Sequence, residues 1–278
     1  MVATGENWPD ALAGGPLAST LSAPILLTRR YELPAPCASV ITTIGATSAV
    51  ILGGTSVVDP AVEDDLIDAG INPGSITRIA GANRYETAAK IAEFIENHDM
   101  NDVDTAYFAT GANFPDALAA GPFGGAFRRP ILLVKRDEIP AYTQQAITGL
   151  GLTTSYVLGG TGVISADVMS QLPFATRLGG ADRYETAAII AEHGLLAGGS
   201  SSVLYTATGQ SFPDALAAAP LAAFGPYPIV PLKRDSVPAA SMTYLTTHES
   251  SILSWYMLGG EAAVSEATEQ AVFDVLNP

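Results

Sequence analysis

The chain has 278 residues, 48% hydrophobic and 15% charged, with a formal net charge of −15. That length admits one large domain or two to three small ones, and the acidic balance leaves no broad basic field for nucleic-acid phosphates. The balance suits a secreted protein or one from a salty habitat, and the single Cys37 provides no disulfide framework.

In chain order, the first stretch is Ala3-Thr-Gly-Glu-Asn-Trp-Pro-Asp-Ala-Leu-Ala-Gly-Gly-Pro16. It recurs from Ala109 to Pro122 and from Ala207 to Pro220, with Gly5, Gly111 and Gly209 in register at intervals of 106 (111 − 5) and 98 (209 − 111) residues. Intervals of roughly a hundred residues exceed the ~20–50 of a solenoid unit, so one domain is copied. Each copy predicts a strand ending in Thr-Gly, a tight turn, and a helix of small residues. Proline suits the first helical turn, and the following Asp10, Asp116 or Asp214 puts negative charge at the positive end of the helix dipole.

Each copy then continues alike. A short apolar strand (24–28, 130–134, 228–232) precedes a Pro-initiated helix near 34–44, 140–150 or 238–247. A second strand ends in a glycine pair, Gly53-Gly54, Gly159-Gly160 or Gly259-Gly260, and a last helix follows with Asp59, Ser165 or Ser265 as N-cap. Apolar strands alternating with helices predict α/β units with parallel sheets covered on both faces. The uncharged stretches 11–28 and 215–232 approach the ~18 residues of a membrane span. Both are broken by Pro and Gly and occupy equivalent places in the repeat, which argues against spanning, and no basic region precedes the first as in a signal peptide.

Between copies lies a second signature, Arg78-Ile-Ala-Gly-Ala-Asn-Arg-Tyr-Glu-Thr-Ala88, repeated from Arg177 to Ala187. Each opens a helix (85–95, 184–195) that feeds the next Ala-Thr-Gly strand. Three Pro-Asp-Ala-Leu copies accompany two Arg-Tyr-Glu-Thr copies, and the third is expected ahead of residue 1. The reading is then of a chain that starts inside a repeat.

These paired signatures resemble the cell wall-binding repeat 2 family, found in threes on Gram-positive surface proteins, and the similarity covers essentially the whole chain. The resemblance implies three tandem Rossmann-like or flavodoxin-like repeats packed as a pseudo-threefold trimer, the first lacking its N-terminal helix. The divisions expected are 1–76, 77–175 and 176–278. It also implies an extracellular, cell-surface protein that anchors non-covalently to an anionic cell-wall polysaccharide or secondary wall polymer. A homo-oligomer completing the broken first repeat is a further expectation.

Ten of the thirteen Lys and Arg residues fall in two repeating places. Six are doublets just beyond the strand of each copy: Arg29-Arg30, Lys135-Arg136 and Lys233-Arg234. That position matters because ligands of open parallel sheets bind beyond the strands' carboxyl ends. One reading gives three symmetric cationic points that grip a repeating anionic polymer by multivalency. The other makes them solvated surface charge paired with Asp137 and Asp235. The remaining four are Arg78, Arg84, Arg177 and Arg183. Arg84 and Arg183 are expected to pair with Asp116 or Asp214, or with Glu86 or Glu185, holding helix against turn and adding to inter-repeat seams. Asp10 would then lack a partner. Arg84 and Arg183 also stand among the polymer-binding candidates, while Asp10, Asp116, Asp214, Arg78 and Arg177 form the structural motif.

No catalytic constellation emerges. There is no G-x-G-x-x-G with its ribose-binding acid, no Walker sequence and no G-x-S-x-G elbow, and His98, His193 and His248 lack metal-ligand spacing. The expectation is a protein that is not an enzyme and has no cofactor. Its net charge of −15 works against long-range attraction of an anion, so contact must be local or bridged by a divalent cation. The rival is a small-molecule- or nucleotide-binding α/β enzyme working at the sheets' carboxyl edge.

Overall fold

Runs such as Ile131-Leu-Leu-Val134 carry no polar alternation, which a strand tolerates only when both faces are covered. The computed structural model describes residues 1–7, 10–99 and 103–277; Trp8 and Pro9 of the first Pro-Asp-Ala-Leu copy lie outside them. Repeat 1 runs β1 (Val2–Thr4), α1 (Gly14–Thr20), β2 (Leu26–Thr28), α2 (Ala35–Ile44), β3 (Ala49–Leu52), α3 (Ala61–Asp68) and β4 (Ile76–Ile79). Next come α4 (Arg84–Asp99), β5 (Thr105–Thr110), α5 (Pro115–Ala126), β6 (Ile131–Val134), α6 (Ala141–Gly149), β7 (Thr154–Leu158), α7 (Ala166–Ser170) and β8 (Ala175–Leu178). The last set is α8 (Arg183–Leu196), β9 (Val203–Thr208), α9 (Pro213–Ala223), β10 (Ile229–Leu232), α10 (Ala239–His248), β11 (Ser254–Met257) and α11 (Glu266–Leu276).

All strand pairs are parallel, in three sheets ordered β2-β1-β3-β4, β6-β5-β7-β8 and β10-β9-β11. The Rossmann-like alternation and the threefold repetition expected from the sequence are therefore present. The described part of the stretch 11–28 holds α1 and β2, and most of 215–232 is α9 and β10. Among the described residues no helix is long and apolar enough to cross a membrane. Two strands escaped sequence reading: β4 and β8 begin the Arg signatures, which looked only like the approach to a helix. Each adds a fourth strand to the preceding sheet, while the helix after it covers the next repeat. Thus α4 packs on β6 and α6, and α8 on β10 and α10.

The small-residue helices α1, α5 and α9 meet one another, and their composition has a steric cause. Gly15, Gly121 and Ala219 occupy the same repeat position. A Cβ added at Gly121 would lie 2.9 Å from the Ala219 Cβ, and one at Gly15 would lie 3.2 Å from it. One turn further, a Cβ on Gly125 would meet Ser19 at 2.5 Å and Ala223 at 2.9 Å. The pseudo-threefold axis runs where three helix backbones approach too closely for larger side chains. Around it one continuous core joins all three repeats, with Leu17, Phe108, Phe123, Leu132 and Ala222 fully buried.

Candidate functional site

The Arg-x-x-Gly-x-x-Arg-Tyr-Glu-Thr signature resolves into a helix start built residue by residue. Asn83 Oδ1 accepts from the amides of Tyr85 (3.0 Å) and Glu86 (3.1 Å), and Asp182 Oδ1 accepts from Tyr184 and Glu185, both at 2.9 Å. Glu86 and Glu185 reach back to accept from the amides of Ala82 and Ala181 at 2.6 Å, completing a reciprocal cap of the capping-box kind. Thr87 and Thr186 accept from the amides of Gly81 and Gly180 at 3.1 Å. The helix N-terminal donors therefore find partners within ten residues of sequence.

The first arginine of each signature works inside its own sheet. Arg78 on β4 donates to the carbonyls of Gly53 and Val58, both at 2.9 Å, and to Glu63 at 2.6 Å. Arg177 on β8 donates to the carbonyls of Gly159 (2.8 Å) and Ser165 (3.3 Å). These bonds fix the first two glycine-pair loops; the leading residues of all three, Gly53, Gly159 and Gly259, have φ of +102°, +94° and +95°, a region that side chains other than glycine rarely adopt.

The second arginine is shared between repeats: Arg183 meets Asp116, one of the expected partners, whereas Arg84 is turned to Asp10, which was expected to have none. Arg84 donates to the Gly111 carbonyl of repeat 2 while its charge acts on Asp10 of repeat 1. Arg183 donates to the Gly209 carbonyl of repeat 3 at 2.7 Å while its charge acts on Asp116 of repeat 2. Each guanidinium thus serves the aspartate of the preceding repeat, because the strand before it belongs to the preceding sheet. Asp10 is accompanied, and among the described residues it is Asp214 that has no arginine partner. The aspartates sit over the glycine pairs: a Cβ on Gly159 would be 2.5 Å from Asp116 Oδ2, and one on Gly259 2.6 Å from Asp214 Oδ2. Burial pushes Asp116 up to about 6, against the pull of Arg183. Burial likewise raises Asp10, opposed by a hydrogen bond from Thr87 and by Arg84. Glu86 and Glu185 are occupied with the helix caps instead.

The three doublets stand at one equivalent turn. In each, the amide of the first member bonds a carbonyl three residues on: Arg29 to Glu32 (3.2 Å), Lys135 to Glu138 (3.1 Å), Lys233 to Ser236 (3.2 Å). The carbonyls of Arg30, Arg136 and Arg234 accept from Asp59, Ser165 and Ser265, all at 2.8 Å, tying the turn to the start of the last helix. Ser165 caps its helix, accepting from Val168 at 3.3 Å, and Asp59 accepts from Ala61 at 3.1 Å, whereas the Ser265 hydroxyl faces Thr268 instead. Most doublet side chains have acidic neighbours: Arg29 pairs with Glu32, Lys135 with Glu138 (2.7 Å), Arg136 with Asp137 (3.1 Å) and Arg234 with Asp235 (2.7 Å). Arg30 lies over the Tyr31 ring at 4.8 Å.

Sequence reading missed Tyr85 and Tyr184, which join the two signatures. Their rings pack on the Gly111 and Gly209 turns, 2.6 Å and 2.9 Å from the place a glycine Cβ would take. Lys233 lies 5.7 Å from the Tyr184 ring centroid, and Tyr85 acts electrostatically on Lys135. The signal was available: Tyr follows Arg in both signatures, and Gly follows Thr in all three turns. Beside the first turn, a polar cavity of about 230 Å³ is lined by Thr4, Asn7, Asp10, Ser56, Asn83 and Arg84. Among the described residues no group of three or more His, Cys, Asp and Glu side chains converges as a metal site.

The geometry defines a class: three parallel α/β repeats clasped round a pseudo-threefold axis, with interlocking arginines at the seams and cationic turns outside. Residues 1–63, 78–169 and 177–269 match Cell wall binding domain 2 (CWB2), and the chain belongs to that family. It is similar to the N-acetylmuramoyl-L-alanine amidase LytC of Bacillus subtilis (strain 168), 34% identical over 223 residues, covering 80% of this chain and 43% of the amidase. The amidase enhancer of the same organism is 31% identical over 271 residues, covering 95% of this chain and 35% of the enhancer. The structure of Cwp6 from Clostridium difficile superposes with a TM-score of 0.89 at 27% identity, over all of this chain and 44% of that one. Cwp8 from the same organism shares the fold, with a TM-score of 0.83 at 24% identity over all of this chain and 47% of that one. The chain spans less than half the length of each of these relatives.

Proposed function

We propose that this chain is a non-catalytic anchoring module that holds an anionic cell-wall polymer from outside the cell, through the doublets Arg29-Arg30, Lys135-Arg136 and Lys233-Arg234. The observation that carries the reading is their placement: three cationic turns at one equivalent position on repeats joined by one continuous core. A repeating polymer can meet all three, so weak contacts add through effective concentration. Arginine forks match phosphate or carboxylate groups bidentately. The acidic neighbours do not oppose this, because exposed ion pairs are worth about 0–1 kcal/mol and exchange readily. They do keep the field local, which fits a chain whose net charge is −15. Arg84 and Arg183, spent on carbonyls and aspartates, would contribute by fixing the turns rather than by reaching the polymer.

The test is co-sedimentation with Gram-positive walls before and after acid extraction of their anionic polymers. Binding lost on extraction, and lost again when all three doublets are replaced by Glu, is expected. Unchanged binding by the six-fold charge-reversal variant would sink the site assignment. A thermal shift of several degrees with a single nucleotide or sugar would favour an enzyme at the sheet's carboxyl edge instead.

A further inference from the structure

The ring has three seams, and the two signature segments close two of them. Between repeats 1 and 2, one continuous segment adds β4 to the first sheet, sends Arg78 to the Gly53 carbonyl and sets Arg84 between Asp10 and the Gly111 carbonyl. It then seats Tyr85 on Gly111 and lays α4 over β6 and α6. The segment from β8 through α8 repeats every one of these contacts between repeats 2 and 3.

The third seam, between repeats 3 and 1, presents the matching receptors. β11 has β9 on one side and, among the described residues, no strand on the other, with Tyr256 53% exposed and the preceding Leu253 81% exposed. Asp214 lies over Gly259 as Asp116 lies over Gly159. Gly5 ends β1 as Gly111 ends β5, but among the described residues no tyrosine ring packs on it. The helix-bearing face is open as well. Leu26 and Leu27 of β2 are half-buried, whereas their counterparts Leu132 and Leu133 on β6, the strand that α4 packs on, are fully buried. Val40 of α2 is 38% exposed, and its counterparts Ala146 and Tyr244 are buried under α4 and α8. Cys37 repeats the helix-to-strand bond of Thr143 and Ser241, its thiol donating to the Leu27 carbonyl at 3.3 Å, yet it alone of the three is half-exposed.

We propose that the third seam is a docking site for a further strand–turn–helix segment of the Arg-x-x-Gly-x-x-Arg-Tyr-Glu-Thr kind. Its strand pairs with β11 in the register of β7 with β8, which sets its first arginine opposite Met257, as Arg177 stands opposite Val157. That arginine donates to the Gly259 carbonyl. The second bridges Asp214 and the Gly5 carbonyl, the tyrosine caps Gly5, and the helix covers β2 and α2. A single segment thereby fastens the last repeat to the first and closes the ring. Strand addition provides main-chain hydrogen bonds, and the helix buries an apolar stripe. The choice of occupant follows from the two filled seams, which show the complementary sequence in place. It does not depend on the wall-binding reading.

The test adds a synthetic peptide with the sequence of residues 75–98 to the intact chain. Saturable binding by calorimetry, a rise in Tm and new amide-exchange protection at Trp255 and Met257, whose amides face away from β9, are expected. Asp214→Asn should weaken binding at least tenfold, and so should a peptide carrying Glu in place of the arginine equivalent to Arg84. The peptide change cannot unfold the protein, so it separates a lost contact from a damaged fold. No saturable binding up to millimolar peptide, or binding unaffected by both changes and without protection on β11, would overturn the proposal.

Discussion

Two sets of basic residues repeat in this chain, and they behave oppositely. Arg78, Arg84, Arg177 and Arg183 point inward, where their guanidinium groups meet loop carbonyls and two half-buried aspartates. The doublets point outward, four of their six side chains pairing with acids one to three residues away and Arg30 and Lys233 lying by tyrosine rings. Both sets recur with the same regularity in the sequence, so periodicity alone cannot assign a role. Partners do: a cation whose donors are spent on backbone carbonyls is part of the frame, and one held by an exposed carboxylate can exchange it for a ligand.

The frame side of that contrast should give the largest effects. At the axis, Gly121→Val would force a branched side chain against Ala219, whose Cβ is 2.9 Å from where the new Cβ must lie. Overpacking of this kind typically costs about 1–3 kcal/mol and occasionally more, and the better helix propensity of valine over glycine returns only roughly 0.3–0.5 kcal/mol. Urea denaturation should place the loss near 3 kcal/mol, with Gly121→Ala milder, since repeat 3 already carries an alanine there. A variant as stable as the parent would mean that the three helices do not meet as closely as described.

Asp116 offers the next largest effect through pH. Its folded pKa is raised from 3.8 to about 6 by burial, so the folded state prefers the protonated carboxyl. That stabilisation is complete below about pH 4 and is lost as pH rises through about 6. The shift corresponds to about 3 kcal/mol across the window. Asp116→Asn stays neutral throughout, so its stability relative to the parent should increase between pH 4 and pH 7. Parallel profiles for the two proteins would show that Arg183 compensates the buried charge fully. Arg183→Met should be smaller, about 2 kcal/mol at pH 7 and less at pH 4. It removes a charge-assisted bond to the Gly209 carbonyl as well as the counter-charge, and only the second loss depends on the ionisation of Asp116.

Much of this frame was legible in the sequence, because short-range patterns caused it. The strands ending in Thr-Gly, the Pro-initiated helices and the positive-φ glycine pairs follow from local stereochemistry, and repetition at roughly a hundred residues made each one readable three times. What stayed hidden depended on contacts between repeats. Gly15, Gly121 and Ala219 read as helix filler, since their meaning lies in the backbones of two other helices. For Arg84 the sequence left Asp116, Asp214 and the neighbouring glutamates open and omitted Asp10, whereas the β4 strand ahead of it joins the preceding sheet and carries it toward Asp10. The doublets lie beyond the strand ends as expected, with Asp137 and Asp235 beside them as the sequence already suggested, but the pairs with Glu32 and Glu138 and the tyrosines near Lys135 and Lys233 emerge only once the turns close.

The outward side of the contrast predicts the smallest effect on folding and the sharpest separation from binding. Replacing Arg136 and Arg234 with Gln removes two exposed ion pairs, to Asp137 and Asp235. Such pairs contribute about 0–1 kcal/mol each, and screening by salt diminishes them further. The backbone carbonyls of both residues, which hold the next helix through Ser165 and Ser265, are unchanged by the substitution. Stability should therefore stay within about 0.5 kcal/mol of the parent, while retention on cell walls falls and becomes less sensitive to added salt. A variant that loses stability by as much as Arg183→Met would place these arginines in the frame after all, and the distinction between inward and outward cations would fail at the doublets.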